Sequence, residues 1–324
     1  MVILWSIIAL GGLGAAFGFL LAYASKKLEV KQDETVAAIR ENLPGANCGG
    51  CGFPGCDGFA AAVAKGEAPV NGCAVIGVNA AKAIAKIMGQ EVSLEPKVAR
   101  VVCRGKDGCQ DKFEYEGYKD CRAAYALAGG FRNCRYACLG LGTCAHACKF
   151  DAITMDEHGI ADIDLNKCKG CGACVAACPQ ETIQIFNLSA DMYVACRNVE
   201  KGKAVMDVCK TGCIGCGLCA RVCPFGAIEM VDNLPVVDYT KCRECSMCVD
   251  KCPRKSIQRT KPIKKAKILK NKCIGCTLCA KNCPFDAIEG ELKQPHTVHT
   301  EICRGCGICA EKCRKGAIVF ETEE

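Results

Sequence analysis

Aromatic residues are scarce in this chain. Phenylalanine, tyrosine and tryptophan make up 6% of its 324 residues, and the single tryptophan, Trp5, sits near the start. Aromatic side chains supply much of the buried area of large apolar cores, so such cores are not what holds this chain together. A dinucleotide-binding glycine fingerprint between a strand and a helix is also lacking. So is a flavin-attachment motif. No basic stretch is interleaved with aromatics, and this leaves nucleic acid without a binding surface.

Cysteine is abundant instead. There are 33 cysteines, in a chain long enough for about two domains. That density would suit a disulfide scaffold in a short secreted protein. Here the count is odd, and most cysteines fall in short C-x2-C-x2-C-x3-C runs, too close together to pair usefully. Thiolates at this spacing fit around an iron–sulfur cube. With inorganic clusters as cores, metal binding supplies the folding free energy that the missing apolar bulk does not. The formal charge of +7 then misleads. Seven cubes with their thiolates bring roughly −14, leaving the loaded chain near −7.

Residues 2–25 carry no charge, and Lys26 and Lys27 follow at once. As a helix this run is about 36 Å long, enough to cross a hydrocarbon core. Ala22-Tyr23-Ala24 resembles a signal-peptidase site, but the run is too long for a signal sequence and no basic residue precedes it. The reading is an uncleaved anchor. The flanking lysines place the rest of the chain on the cytoplasmic side. Gly14 and Gly18, with Gly11 and Ala15, make a small-residue stripe. It is either simply glycine-rich or a face for partner membrane helices.

The body of the chain repeats. CIGCGLCARVCPFGAI starts at Cys213 and CIGCTLCAKNCPFDAI at Cys273. CRECSMCVDKCPRKSI starts at Cys242, CRGCGICAEKCRKGAI at Cys303 and CKGCGACVAACPQETI at Cys168. A half-unit near 30 residues and a full unit near 60 make an internal repeat. Each half-unit reads as a glycine-rich cysteine loop, a short helix with the fourth cysteine, an Ala-Ile pair, a turn and a second short apolar run. The fold expected is α+β: an N-terminal transmembrane helix, a small helical iron–sulfur domain and three tandem two-cluster modules.

The runs resemble the bacterial two-cluster ferredoxins. That resemblance implies that the first three cysteines of a run hold one cube and the fourth holds the other cube of the module. In module 2, Cys213, Cys216, Cys219 and Cys252 form one set, and Cys242, Cys245, Cys248 and Cys223 the other. In module 3 the sets are Cys273, Cys276, Cys279 and Cys313, and Cys303, Cys306, Cys309 and Cys283. Module 1 departs from the pattern. Its Cys138, Cys144 and Cys148 align with Cys213, Cys219 and Cys223, but Leu141 stands where Cys216 would be. Cys134 is expected to substitute, joining Cys138, Cys144 and Cys178, while Cys168, Cys171, Cys174 and Cys148 hold the second cube. The rival is a three-iron cluster.

Cys48, Cys51, Cys56 and Cys73 have a different spacing, C-x2-C-x4-C-x16-C. Alone they could bind zinc; beside six ferredoxin-type sets, a seventh cube is the more economical reading. A short amphipathic helix ending at Leu43-Pro44-Gly45 precedes them and a second helix follows Cys73.

A membrane helix, then LPGANCGGCGFPGC, then CLGLGTCAHACKFDAI and further ferredoxin modules closely resemble the B subunit of the bacterial Rnf complex in its long form. The resemblance covers essentially the whole chain. It implies an electron-relay subunit with no complete active site of its own, in a translocase-class ferredoxin:NAD oxidoreductase. Electrons would come from soluble ferredoxin and pass toward membrane and flavin subunits for NAD reduction, coupled to Na+ or H+ movement. Flavin and NAD would lie on other subunits. The front cluster is then either a relay to the membrane subunits or a structural staple. Two other classes compete: a polyferredoxin subunit of a membrane hydrogenase or formate dehydrogenase, and a non-redox cluster protein for storage or sensing.

The domains expected are an anchor over 1–27, the four-cysteine domain over 28–95 and a connector over 96–132. Module 1 covers 133–190, a linker 191–206, module 2 207–260 and module 3 261–324. Seven cubes use 28 cysteines and leave Cys103, Cys109, Cys121, Cys196 and Cys209. They are either buried free thiols or, four of them, an eighth cluster. Residues 259–272 carry seven basic residues and no acidic one. This is either a solvated linker between modules 2 and 3 or a steering patch for an acidic ferredoxin or anionic lipid, through Lys264, Lys265, Lys267 and Lys270. His146 lies in a cluster loop, where exposure is expected, and His296 and His299 suggest nothing firm.

Overall fold

Short strands and helices gather around cysteine loops in the computed structural model, which describes residues 11, 12, 14, 15, 17–21, 23, 33–73, 75–90, 95–105, 108–157 and 159–322. The chain divides into two units, Met1–Val92 and Ser93–Glu324. Residues 11–23 are helical and exposed where described. The rest of the expected anchor, with Trp5, Lys26 and Lys27, lies outside the described residues. Among the described residues no helix is long and apolar enough to cross a membrane.

The first unit holds helices α1 (Glu34–Glu41), α2 (Gly55–Ala64) and α3 (Val78–Ile87). Asp33 starts α1 by accepting the Thr35 N–H at 2.9 Å, and Glu34 and Arg40 suit the two ends of the helix dipole. Ile39, Phe59, Val63 and Ile84 come from the three helices and are buried together with Cys56 and Cys73. Each such side chain contributes about 1.5–3 kcal/mol by leaving water. Because Arg40 also pairs with Asp57 at 2.6 Å, α1 is fastened to the start of α2, which carries Cys56.

Among the described residues the second unit has six two-stranded antiparallel sheets. Strands β1 (Lys97–Val101), β2 (Ile153–Met155), β3 (Ala161–Ile163) and β4 (Ile183–Asn187) build module 1. β5 (Met192–Val194), β6 (Ile228–Val231), β7 (Leu234–Val237) and β8 (Ile257–Arg259) build module 2. β9 (Lys264–Ile268), β10 (Ile288–Glu289), β11 (Thr297–Val298) and β12 (Ile318–Thr322) build module 3. In each module the middle strands form the expected hairpin. Asp232 and Asn233 join β6 to β7 with φ of 47° and 62°, the pair of left-handed residues a tight type I′ turn needs.

The outer strands are not legible in the repeat. β1 pairs with β4, β5 with β8 and β9 with β12, so each module is closed by pairing its first strand with its last. The regions expected as a connector over 96–132 and a linker over 191–206 therefore supply β1 and β5. Likewise the basic run is not a free linker: β9 lies within it, and Ala266 at its centre is buried. A strand edge offers unpaired backbone groups, and the last strand of the same module satisfies them.

Modules 2 and 3 meet through a reciprocal pair of contacts. Arg243 donates to Glu311, and Arg304 donates to Asp250. Each arginine directly follows the first cysteine of its run, Cys242 or Cys303. Each carboxylate lies two residues past the third, Cys248 or Cys309. The two second halves thus face one another as equivalents. Phe225 and Phe285 add an edge-to-face contact at 6.5 Å. Between modules 1 and 2, buried Arg100 on β1 lies over the ring of Tyr193 on β5 at 5.2 Å.

Candidate metal centres

Six one-turn helices carry the third cysteine of each ferredoxin-type run: Cys144, Cys174, Cys219, Cys248, Cys279 and Cys309, all buried. The residue before each helix is left-handed: Gly142, Gly172, Gly217, Ser246, Thr277 and Gly307. This reversal turns the second and third cysteines toward one centre. An earlier glycine has a different reason. A Cβ on Gly305, at φ 62°, would run into the carbonyl of Lys264, and one on Gly170 into that of Lys97. The cysteine loop lies flat against the first strand of its module, and only glycine permits that approach.

Module 2 brings together the cysteines that the ferredoxin resemblance groups. Cys213, Cys216, Cys219 and Cys252 line one cavity of about 340 Å³. Cys223 lies within electrostatic reach of Cys242, Cys245 and Cys248. In module 3, Cys283, Cys303, Cys306 and Cys309 line a cavity of about 320 Å³, and Cys279 neighbours Cys273 and Cys276. Cys148 and Cys168 border the module 1 core that holds Cys174, to which Cys168 and Cys171 are neighbours. In the first unit, Cys48, Cys51 and Cys56 all surround Cys73. Asn47 fixes the start of α2 there, its side chain accepting the Cys56 N–H at 2.8 Å.

The donor set fits iron–sulfur cubes. Cysteine sulfur is the ligand type that every one of these sets shares. Backbone N–H groups point at the sulfurs: Ala227 at Cys223 and Ala287 at Cys283, both 3.4 Å, and Ala317 at Cys313, 3.3 Å. Those alanines are the Ala of the recurring Ala-Ile pair, so the pair positions a donor as well as a core residue. Such bonds stabilise charge on cluster sulfur and tune its potential. Among the described residues no three Cys, His, Asp or Glu are arranged to hold a single metal ion. Burial pushes the thiols of Cys138, Cys174, Cys248 and Cys309 up to about 12, so metal binding here must displace protons.

Module 1 differs from expectation. Cys134 does not join Cys138, Cys144 and Cys178. Those three line a cavity of about 370 Å³ with Cys121. Cys121 opens helix α4 (Cys121–Ala126), which Asp120 caps, and its N–H donates to the Thr143 hydroxyl at 2.7 Å, one residue before Cys144. The cysteine that occupies the place left by Leu141 thus comes from the connector. No spacing rule could have found it, because Cys121 reaches the cavity through tertiary packing of α4.

Cys134 lies instead in a second cavity of about 370 Å³, with Cys103, Cys109, Cys196 and Cys209. Four of the five leftover cysteines are therefore gathered at one place. Of the basic cluster, Lys265 is tied down: its Nζ donates to the carbonyls of Thr300 and Cys303 at 2.7 and 2.9 Å. Lys267 pairs with Glu321 at 3.0 Å. Lys264 and Lys270 are exposed. His146 is exposed, His299 contacts Glu289 at 2.9 Å and His296 is buried.

Comparison with known proteins agrees with these centres. A model described as "Putative Fe-S cluster" matches residues 43–75. Models of the 4Fe-4S dicluster domain match 133–182, 167–227, 241–287, 212–257 and 266–319. The chain is 48% identical over 250 residues to the B subunit of the Na+-translocating ferredoxin:NAD+ oxidoreductase complex of Acetobacterium woodii, covering 76% of this chain and 75% of that one. It is 42% identical to the B subunit of the ion-translocating oxidoreductase complex of Methanosarcina acetivorans, over 79% of this chain and 98% of that one. A proton-translocating counterpart from Clostridium ljungdahlii is 40% identical, over 76% of this chain and 88% of that one. With its several 4Fe-4S dicluster-domain matches and its separate front cysteine set, the chain belongs to the family of B subunits of ion-translocating (Rnf-type) oxidoreductase complexes.

Proposed function

We propose that this chain is the iron–sulfur electron relay of an ion-translocating ferredoxin:NAD oxidoreductase complex. The observation that carries the reading is that cysteine sets of neighbouring modules adjoin. Cys306 of module 3 lies within electrostatic reach of Cys245 of module 2, and the Arg243–Glu311 and Arg304–Asp250 contacts hold that junction. A cube bound at each set supplies a one-electron carrier.

The placement of the sulfurs and the ferredoxin pattern support the following residues as holders of seven cubes. They are Cys48, Cys51, Cys56 and Cys73; Cys121, Cys138, Cys144 and Cys178; Cys148, Cys168, Cys171 and Cys174. Then come Cys213, Cys216, Cys219 and Cys252; Cys223, Cys242, Cys245 and Cys248. The last are Cys273, Cys276, Cys279 and Cys313; and Cys283, Cys303, Cys306 and Cys309. Cys216 and Cys276 are exposed, so modules 2 and 3 each bring a ligand to the surface where a soluble donor can approach. Reduced ferredoxin donates there, and electrons leave toward the membrane and flavin subunits through the front set. The charge-free run over residues 2–25, with Lys26 and Lys27 behind it, anchors the chain with its cysteine-rich part in the cytoplasm. NAD reduction and movement of Na+ or H+ take place on partner subunits.

Purification of the intact complex from native membranes tests the reading. Flavin-bearing partners and ferredoxin-driven NAD reduction are expected. A nickel or molybdenum subunit in their place would overturn it.

A further inference from the structure

The cavity between modules 1 and 2 belongs to none of the seven sets. It is lined by Cys103, Cys109, Cys134, Cys196 and Cys209, five sulfurs gathered at one place. Four of these thiols are mutual neighbours: Cys109 and Cys209 flank Cys134, with Cys103 within reach of all three. Their sulfurs meet the polar hydrogens seen at the other centres. The Cys134 N–H donates to Cys109 Sγ at 3.1 Å and the Gly105 N–H to Cys103 Sγ at 3.3 Å. Asn198 Nδ2, on a buried side chain, reaches Cys134 Sγ at 3.6 Å. Arg132, 5% exposed, stands within electrostatic reach of Cys103 and Cys109, and its Nε has no hydrogen-bond partner among the described residues.

The backbone is built for this approach. A Cβ on Gly108 would collide with the Thr211 hydroxyl and press on Cys209 Sγ. Lys210 N–H bonds the Gly108 carbonyl at 2.6 Å, and Arg254 bonds that of Cys209 at 2.6 Å. Two loops distant in sequence are thus clamped together with their cysteines facing inward. Cys196 is the odd one out. Its sulfur accepts the Cys213 N–H at 3.3 Å, and Cys213 is foremost among the thiols that act on it electrostatically.

We propose that Cys103, Cys109, Cys134 and Cys209 hold an eighth 4Fe–4S cluster, set between the cluster sites of modules 1 and 2. The inference rests on the cluster-bearing reading given above. Its place follows from two contacts. The N–H of Cys138, a module 1 ligand, bonds Cys103 Sγ at 3.4 Å. Cys209 precedes Cys213, a module 2 ligand, by one short turn. The eighth site therefore joins modules 1 and 2 as the Cys245–Cys306 junction joins modules 2 and 3. Of the 33 cysteines, only Cys196 is left without a cluster.

The test is iron and acid-labile sulfide per full-length chain, reconstituted without oxygen, with metal identity read by mass spectrometry. Eight cubes give about 32 iron atoms and seven give about 28. The expected result is about 32 in the unaltered chain, falling by about four in Cys109→Ser and in Cys209→Ser while Cys196→Ser keeps the full count. A count near 28 that neither substitution lowers would overturn the eighth site and leave the seven-cluster reading standing. Zinc in place of the extra iron, or a loss with Cys196→Ser and none with Cys103→Ser, would also overturn it. A chain that takes up no iron would remove both readings. Mössbauer spectra of the two serine variants keep the test open if either binds iron poorly for reasons of folding, because loss of one site leaves the remaining cubes' signals intact.

Discussion

Cys138 donates its backbone N–H to the sulfur of Cys103 at 3.4 Å. The contact ties a cysteine of module 1 to one that precedes the module's cysteine runs by a long stretch of chain. It also separates two roles that proximity in sequence merges. Cys134, four residues before Cys138, faces the cavity on the Cys103 side, and Cys121 completes the Cys138 set. Replacing Cys121 with Ala should therefore leave the Cys138 set with three sulfurs and produce a three-iron signal in paramagnetic resonance of the oxidised protein. Replacing Cys134 should leave the Cys138 set whole. If Cys134→Ala gives the three-iron signal at that set and Cys121→Ala does not, the assignment is reversed.

The Arg243–Glu311 and Arg304–Asp250 contacts are partly exposed, so each is expected to contribute no more than about 1 kcal/mol. Their value is orientation. Arg243→Glu with Arg304→Glu should loosen modules 2 and 3 from each other with little change within either. Hydrogen exchange near Cys245 and Cys306 should quicken in the double variant and recover on adding Glu311→Arg and Asp250→Arg. Unchanged exchange would show that other contacts hold the junction.

Gly305→Ala places a Cβ against the Lys264 carbonyl in a left-handed backbone. The strain of the conformation alone costs on the order of 1–3 kcal/mol, and the collision adds to it. Because the loop carries Cys303 and Cys306, module 3 should bind less iron and melt at lower temperature. Gly316→Ala offers the control: its φ is similar, 57°, but nothing lies near the added carbon. Equal losses in the two variants would place the whole effect in backbone strain.

Lysines of one charge run should behave differently. Lys265 closes module 3 through two carbonyls, so Lys265→Gln should lower stability by roughly 1–3 kcal/mol, the range for losing charged hydrogen bonds. Lys264 and Lys270 are exposed. Their neutralisation should leave stability unchanged and slow association with an acidic ferredoxin at low salt, with the difference vanishing at high salt. Association rates identical to the unaltered chain at every salt concentration would move electron entry to another module.

The sequence by itself determined whatever is local. The C-x2-C-x2-C loops, the one-turn helices after left-handed residues, the β6–β7 turn at Asp232-Asn233 and the helices around Cys48–Cys73 each arise within a few dozen residues. There, spacing and turn chemistry restrict the chain to one shape. The grouping of Cys223 with Cys242, Cys245 and Cys248 was expected too, because the resemblance to two-cluster ferredoxins implies it, and the structure brings those four within reach of one another. What only the tertiary structure decided is which distant segments meet. β1 finds β4 and β9 finds β12 because unpaired strand edges need partners, and short apolar runs carry no mark of whose edge they will take. That Cys121 and not Cys134 lines the cavity of Cys138, Cys144 and Cys178 has the same reason. Each is a lone cysteine outside a repeated run: Cys121 is held by its N–H bond to the Thr143 hydroxyl, and Cys134 by its N–H bond to Cys109 Sγ. Neither contact leaves a periodic trace in the order of the residues.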